Sequence, residues 1–290
     1  MSVRVPGHAR VLRRCVQPLT RAWPFLQGGG RASRRWPLVA WTDRTEVVRT
    51  RLRDGSLIDL HSGDYMGVPV FYTGDFDRRI SVLLRRLLRP GDTVLDIGAN
   101  YGIVALQAAR RVGPTGCVHA FEPQAELTTL LTGAKAANHY DHLTVHTVAL
   151  SDRDGEAFLG VPADNHGGGS MEVSGGAGRD VPCRAAGPLL SGLGLGPIRL
   201  LKIDVEGHED AVLGAAADYL RTNPPEHVLA EAAPLAEGRD RWSTPAFAVL
   251  KELGYRFRLL ERSLVRLRLR DMPTDRDAWP RGRFDYLASR

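Results

Sequence analysis

From Gly91 to the C-terminus, short apolar runs alternate with stretches of helical periodicity. Thr93–Ile97, Cys117–Phe121, Leu143–Val148, Leu200–Val205 and His227–Ala230 are mostly apolar and short, the pattern of strands buried on both faces. Between and after them, Ile103–Arg111, Ala125–Asn138, Glu209–Leu220 and Pro245–Leu253 place apolar residues at helical spacing. Such alternation predicts an α/β fold, a parallel sheet with helices on both faces. Tyr255–Leu260, Leu264–Leu269 and Phe284–Ala288 predict three more strands, and the glycine-rich stretch Asp164–Gly187 predicts a loop near the substrate.

Upstream, Val47–Arg53 and Leu57–His61 flank Asp54-Gly55, a hairpin signal. Val68–Tyr72 reads as a strand and Ile80–Leu88 as a helix closed by Pro90-Gly91. Residues 1–45 hold no acid before Asp43 and are rich in Arg, Gly and Pro, so a basic, disordered tail is the expectation. A short basic amphipathic helix around Val11–Leu19 is the alternative reading there. Three segments follow: the tail at 1–45, an N-terminal cap of hairpin and helix at 46–90, and a ligand-binding domain at 91–290.

The turn after the first principal strand narrows the ligand. Gly98-Ala99-Asn100-Tyr101-Gly102 brackets the turn with glycines, but Asn100 stands where a dinucleotide site needs its second glycine. Asp96 adds a negative charge at the strand end. S-adenosylmethionine, cationic and free of phosphate, suits that chemistry better than NAD. Glu122, at the end of the next strand and before Pro123, has two oxygens to accept from ribose hydroxyls.

The stretches VLDIGANYG and AFEP resemble the cofactor loop and ribose-binding strand end of class I S-adenosylmethionine-dependent methyltransferases. LLKIDVEGHEDAVL, Leu200–Leu213, is similar to the signature of the FkbM family among them, and GDFD, Gly74–Asp77, is a weaker match that adds Asp77 to the cofactor residues. The resemblance implies a Rossmann-like class I methyltransferase fold: seven strands, mostly parallel, antiparallel only at the C-terminal edge, with the cap covering the cofactor. It also implies O-methylation of a small hydroxylated acceptor of polyketide, sugar or other secondary-metabolite type.

Ligands bind at the carboxyl ends of strands in such sheets, and Asp96, Glu122, Asp152, Asp204 and Glu231 all stand there. Asp152, with Ser151, is placed to meet the adenine amino group. Asp204, Glu206 and His208 cluster where the acceptor should arrive; Asp204 is the first choice as orienter or base, and His208, as an imidazole, is a candidate general base. Lys202 is expected to be buried and paired with an acid such as Glu231. Asp204, Glu206 and Glu231 are also a possible oxygen set for Mg²⁺.

The net charge of +6 changes this picture little. Twelve arginines precede Asp54, leaving the remainder slightly acidic, so no nucleic-acid groove is expected on the catalytic domain. RNA or protein methylation, with the basic arm holding a polyanion, is the second enzymatic reading, and a non-catalytic cofactor-binding partner protein is the third. No apolar stretch reaches the ~20 residues of a membrane span. Cys15, Cys117 and Cys183 have no metal spacing and predict reduced thiols, hence a cytoplasmic protein.

Overall fold

The computed structural model describes residues 7–22, 24, 26, 32–34, 42–43, 45–161, 169–171, 178–232, 241–263, 265–273, 280 and 282–290. In chain order the helices are α1 (Gly7–Arg21), α2 (Gly67–Thr73), α3 (Arg78–Leu87), α4 (Ile103–Val112), α5 (Ala125–Asn138), α6 (Ala186–Gly192), α7 (Glu209–Ala215), α8 (Ala217–Thr222) and α9 (Pro245–Glu252). The strands are β1 (Val47–Arg51), β2 (Leu57–His61), β3 (Thr93–Ile97), β4 (Cys117–Phe121), β5 (Leu143–His146), β6 (Ala149–Ser151), β7 (Gly155–Gly160), β8 (Gly178–Ala185), β9 (Ile198–Ile203), β10 (His227–Ala232), β11 (Arg256–Glu261), β12 (Arg268–Asp271) and β13 (Phe284–Ser289).

The main sheet runs β12-β11-β13-β10-β9-β3-β4-β5. Its pairings are parallel from β10 through β9, β3 and β4 to β5, and antiparallel around β13 and β12. The strand order reverses between β3 and β9, so a crevice opens beyond their carboxyl ends. The sheet has eight strands, the number that the apolar runs predict and one more than the resemblance implies; β12, later in the chain than the run Leu264–Leu269 suggests, closes a hairpin on β11 outside the parallel core. Side chains alternate across β3, Val94 joining the core under α4 and α5 and Leu95 and Ile97 the core under α7 and α9.

Three local expectations change. Val68–Tyr72 lies in helix α2, not a strand; a short apolar run carries no period that separates the two. Pro69 sits in the first helical turn, where its missing N–H costs nothing, and Gly74 ends the helix in the left-handed region. Of the glycine-rich stretch, residues 178–185 form β8 and 186–192 form α6, with 162–168 and 172–177 outside the described residues. Within the expected tail, residues 7–21 form a helix. Its Gln17 Nε2 and Thr20 Oγ1 donate to Phe71 O and Tyr72 O, both at 2.7 Å, satisfying carbonyls that the end of α2 leaves open. Arg13, buried, forks onto Glu46 at 2.5 and 2.8 Å.

The hairpin β1–β2 leans on α5, where the Asn138 amide donates to Leu57 O and accepts from Leu57 N. From there it reaches the turn after β3. Tyr101 Oη donates to Asp64 Oδ2 at 3.2 Å and lies 3.1 Å from His61 Nδ1.

Candidate functional site

The β3–α4 turn is fixed from several directions. In the parallel ladder Asp96 lies directly opposite Lys202 of β9, on the same sheet face. Lys202 Nζ stands 3.1 Å from Asp96 Oδ1, 3.9 Å from Asp204 Oδ2, and donates to Gly98 O at 2.7 Å. Burial works to lower the Lys202 pKa, but Asp96 and Asp204 outweigh it and hold the ammonium above its ordinary value. Lys202 therefore pairs with Asp96, not with Glu231 as the sequence suggested. Asp96 is fully buried and faces α4 rather than the crevice.

Gly98 (φ 76°) has room for nothing larger: a Cβ there would lie 1.9 Å from Asp204 O. The two loops touch backbone to backbone. Asn100 adopts φ 55°, a conformation Asn tolerates, and its side chain accepts from Tyr101 N at 2.8 Å. The turn thereby aims Asn100 N at Glu122 Oε2 (2.9 Å), while Gln124 N reaches Glu122 Oε1 (3.0 Å). Burial pushes the Glu122 carboxyl above its usual range even against these two amides.

Glu122 lines a slot of about 50 Å³ with Phe121, Pro123, Val148, Leu150 and Met171. A cleft of about 1050 Å³ opens beside it, walled by Phe76, Ile80, Ile103, Leu259 and Phe284. Slot and cleft share four residues, Gly98, Asn100, Asp204 and Glu206. Asp204, half-exposed, stands at that junction at the end of β9. The slot fits an adenosine in kind: a carboxylate oriented by two amides, beside an apolar wall.

Some candidates do not line the slot. Gly102 caps α4 against Leu131, and its backbone shapes the turn without lining the slot. Ser151 Oγ donates to Asp152 Oδ1 and lies 3.0 Å from His208 Nε2, so these three engage one another outside the junction. Glu209 accepts from Val205 N at 2.9 Å and from Gly207 N at 3.1 Å, bracing the loop. Asp77 caps α3, accepting from Arg79 N at 2.8 Å, and lines the cleft instead of the slot.

Arg283 and Arg79 were not singled out by the sequence. Arg283 donates to Glu231 Oε2 at 2.8 Å and pairs with Glu206, drawing two of the cleft's acids onto one guanidinium. Buried Arg79 bridges Asp77 (2.5 Å) and Asp285 (2.7 Å). Both arginines lie in arginine-rich sequence with no pattern to distinguish them. The possible Mg²⁺ set finds no support in this arrangement: Arg283 pairs with Glu206 and Glu231, and among the described residues no three His, Cys, Asp or Glu side chains are placed to hold a metal.

Burial raises the Glu231 carboxyl to about 7, Asp204 adding to the rise and Arg283 opposing it. A raised folded-state value means that the folded chain keeps this proton longer than the unfolded one. The stabilisation is full below the ordinary value of 4.5 and is lost as pH rises to about 7. Melting wild type and Glu231→Gln across that window should show the wild type losing ground steadily. A constant offset between them would remove Glu231 as the titrating group.

A family model described as the methyltransferase FkbM domain matches residues 96–257, more than half of the chain. No curated protein matches. Among solved structures, the chain is similar to a precorrin-6y C5,15-methyltransferase of Geobacter metallireducens GS-15, at 13% identity over 74% of this chain and 91% of that one, TM-score 0.40. It is similar to a methyltransferase FkbM of Methylobacillus flagellatus KT, at 14% identity over 77% and 53%, TM-score 0.40. An S-adenosylmethionine-dependent O-methyltransferase of Thermotoga maritima matches at 16% identity over 85% and 78%, TM-score 0.42.

Proposed function

Because the chain belongs to the FkbM methyltransferase family and is thereby an S-adenosylmethionine-dependent methyltransferase, we propose that it transfers the methyl group to a hydroxyl of a small molecule. The observation that supports this reading is the junction of slot and cleft at Gly98, Asn100, Asp204 and Glu206. A donor seated against Glu122 and an acceptor in the cleft meet only there. When bound, the sulfonium supplies an already activated methyl group. The chain's own residues hold the acceptor oxygen in line and take its proton. Asp204 is the residue assigned to that proton, with the Lys202 ammonium 3.9 Å away to stabilise its charge. Glu122 takes the ribose hydroxyls, and the backbone at Gly98 and Asn100 lets the donor approach closely.

The cleft's charges favour a small acceptor over a polyanion. Asp77, Asp204, Glu206, Glu231, Glu261 and Asp285 at least match its cations in number, so no continuous basic track leads to the junction. Among the described residues no helix is long and apolar enough to cross a membrane.

Incubation of the protein with methyl-labelled S-adenosylmethionine and panels of hydroxylated small molecules, RNA and protein tests the reading. Label entering RNA or protein and no small molecule would overturn it. Glu122→Ala removes charge-assisted hydrogen bonds worth about 1.5–3 kcal/mol, so calorimetry should show S-adenosylhomocysteine bound roughly 10- to 100-fold more weakly. An unchanged dissociation constant would place the ribose elsewhere.

A further inference from the structure

A second cavity, of about 240 Å³, lies along the seam of α3 and α4 and is roofed by the β1–β2 turn. Five arginines line it: Arg53 at the turn, Arg78 and Arg85 on α3, Arg110 and Arg111 on α4. Only Asp54 and Asp75 oppose them. Asp75 offsets part of the charge of Arg53 and Arg78, and Asp54 is engaged within its own turn. Asp54 accepts from Ser56 N at 3.0 Å and Ser56 Oγ at 3.1 Å within its own turn. Asp75 is buried, burial raises its carboxyl to about 6, and its Oδ1 accepts no hydrogen bond among the described residues. Arg85 and Arg110 form no ion pair among the described residues, and the Arg110 guanidinium rests against the turn at Gly55. Burial and the repulsion of Arg78, Arg21 and Arg85 lower the Arg53 pKa against the pull of Asp75, so the like charges are held together at a cost.

An arrangement of forked donors around a roomy, polar, cationic cavity is the chemistry that recognises phosphate oxygens. We propose that this cavity is a binding site for a small soluble phosphate ester, its oxyanion held by Arg53, Arg78, Arg85 and Arg110. One group with a proton to give, a hydroxyl or a singly protonated phosphate oxygen, would donate to the open oxygen of Asp75. Methyl transfer needs none of these residues, so the site is additional to the junction at Asp204. Ser81 and Gln107 wall both the cavity and the acceptor cleft, which places the two ligands side by side along α4.

The test uses the full chain and inorganic pyrophosphate as probe. Calorimetry at low ionic strength should show saturable binding, and thermal melts should rise with pyrophosphate. Arg85→Gln with Arg110→Gln changes two exposed side chains and should weaken pyrophosphate binding at least tenfold, while S-adenosylhomocysteine binds within twofold of wild type. Arg85→Lys with Arg110→Lys, which keeps the charge, should recover part of the affinity. Three outcomes would overturn the proposal: no saturable heat, binding that the paired Gln substitutions leave unchanged, or retention on phosphatidic-acid vesicles or RNA without any pyrophosphate binding.

Discussion

Lys202→Met is expected to lower stability by about 3–5 kcal/mol, because it leaves Asp96 as a charge with no water and no partner. The residue donates to Gly98 O and offsets two carboxylates, so its loss also unfixes the turn on which the cofactor slot depends. For a chain of this size the melting temperature should fall by on the order of 10 °C. Replacing both partners, Asp96→Leu with Lys202→Met, should return much of the stability, since a buried ion pair exchanged for well-packed apolar groups is often neutral. Cofactor affinity separates the two roles of the lysine. If the double variant folds but binds S-adenosylhomocysteine poorly, the pair serves the turn as well as the core. Equal melting of wild type and Lys202→Met would show that the ammonium stabilises neither.

That pair also marks what the sequence makes legible. Asp96 and Lys202 were both visible as charges in apolar runs, and Lys202 was readable as buried and needing an acid. Which acid follows from strand order and register, because β3 and β9 lie side by side with residues 96 and 202 opposed. That neighbourhood is set by sheet topology, 106 positions apart in the chain, and no local spacing encodes it. The same limit explains Arg283, whose partners Glu206 and Glu231 come from the ends of two other strands. By contrast, Gly98, Asn100 and Glu122 were legible because their constraint is local: a turn of stated length between a strand and a helix, followed by one strand more. Ser151, Asp152 and His208 stand at strand or helix ends, but side-chain direction, which position does not give, turns them onto each other. The helix at residues 7–21 had its apolar spacing in view but not its partner, the open carbonyls of α2.

Asp204→Asn should reduce turnover on the order of 10²–10⁴-fold if Asp204 accepts the proton of the acceptor, the usual range for a general base. The substitution keeps shape while removing charge and basicity. Its backbone N–H donates to Ile97 O at 3.1 Å and is untouched, and the side chain is half-exposed, so the fold should tolerate the change. S-adenosylhomocysteine should bind within a few fold of wild type, because Glu122 and the turn hold it from the other side of the junction. The loss should therefore appear in kcat, with KM for the donor near its wild-type value. A proton-accepting role also predicts that acceptors with more acidic hydroxyls suffer less from the substitution, since they need the base less. An orienting role predicts the same loss for every acceptor. Near-normal turnover at full stability would remove Asp204 from the chemistry and leave Glu206, the other acid at the junction, as the residue to substitute next.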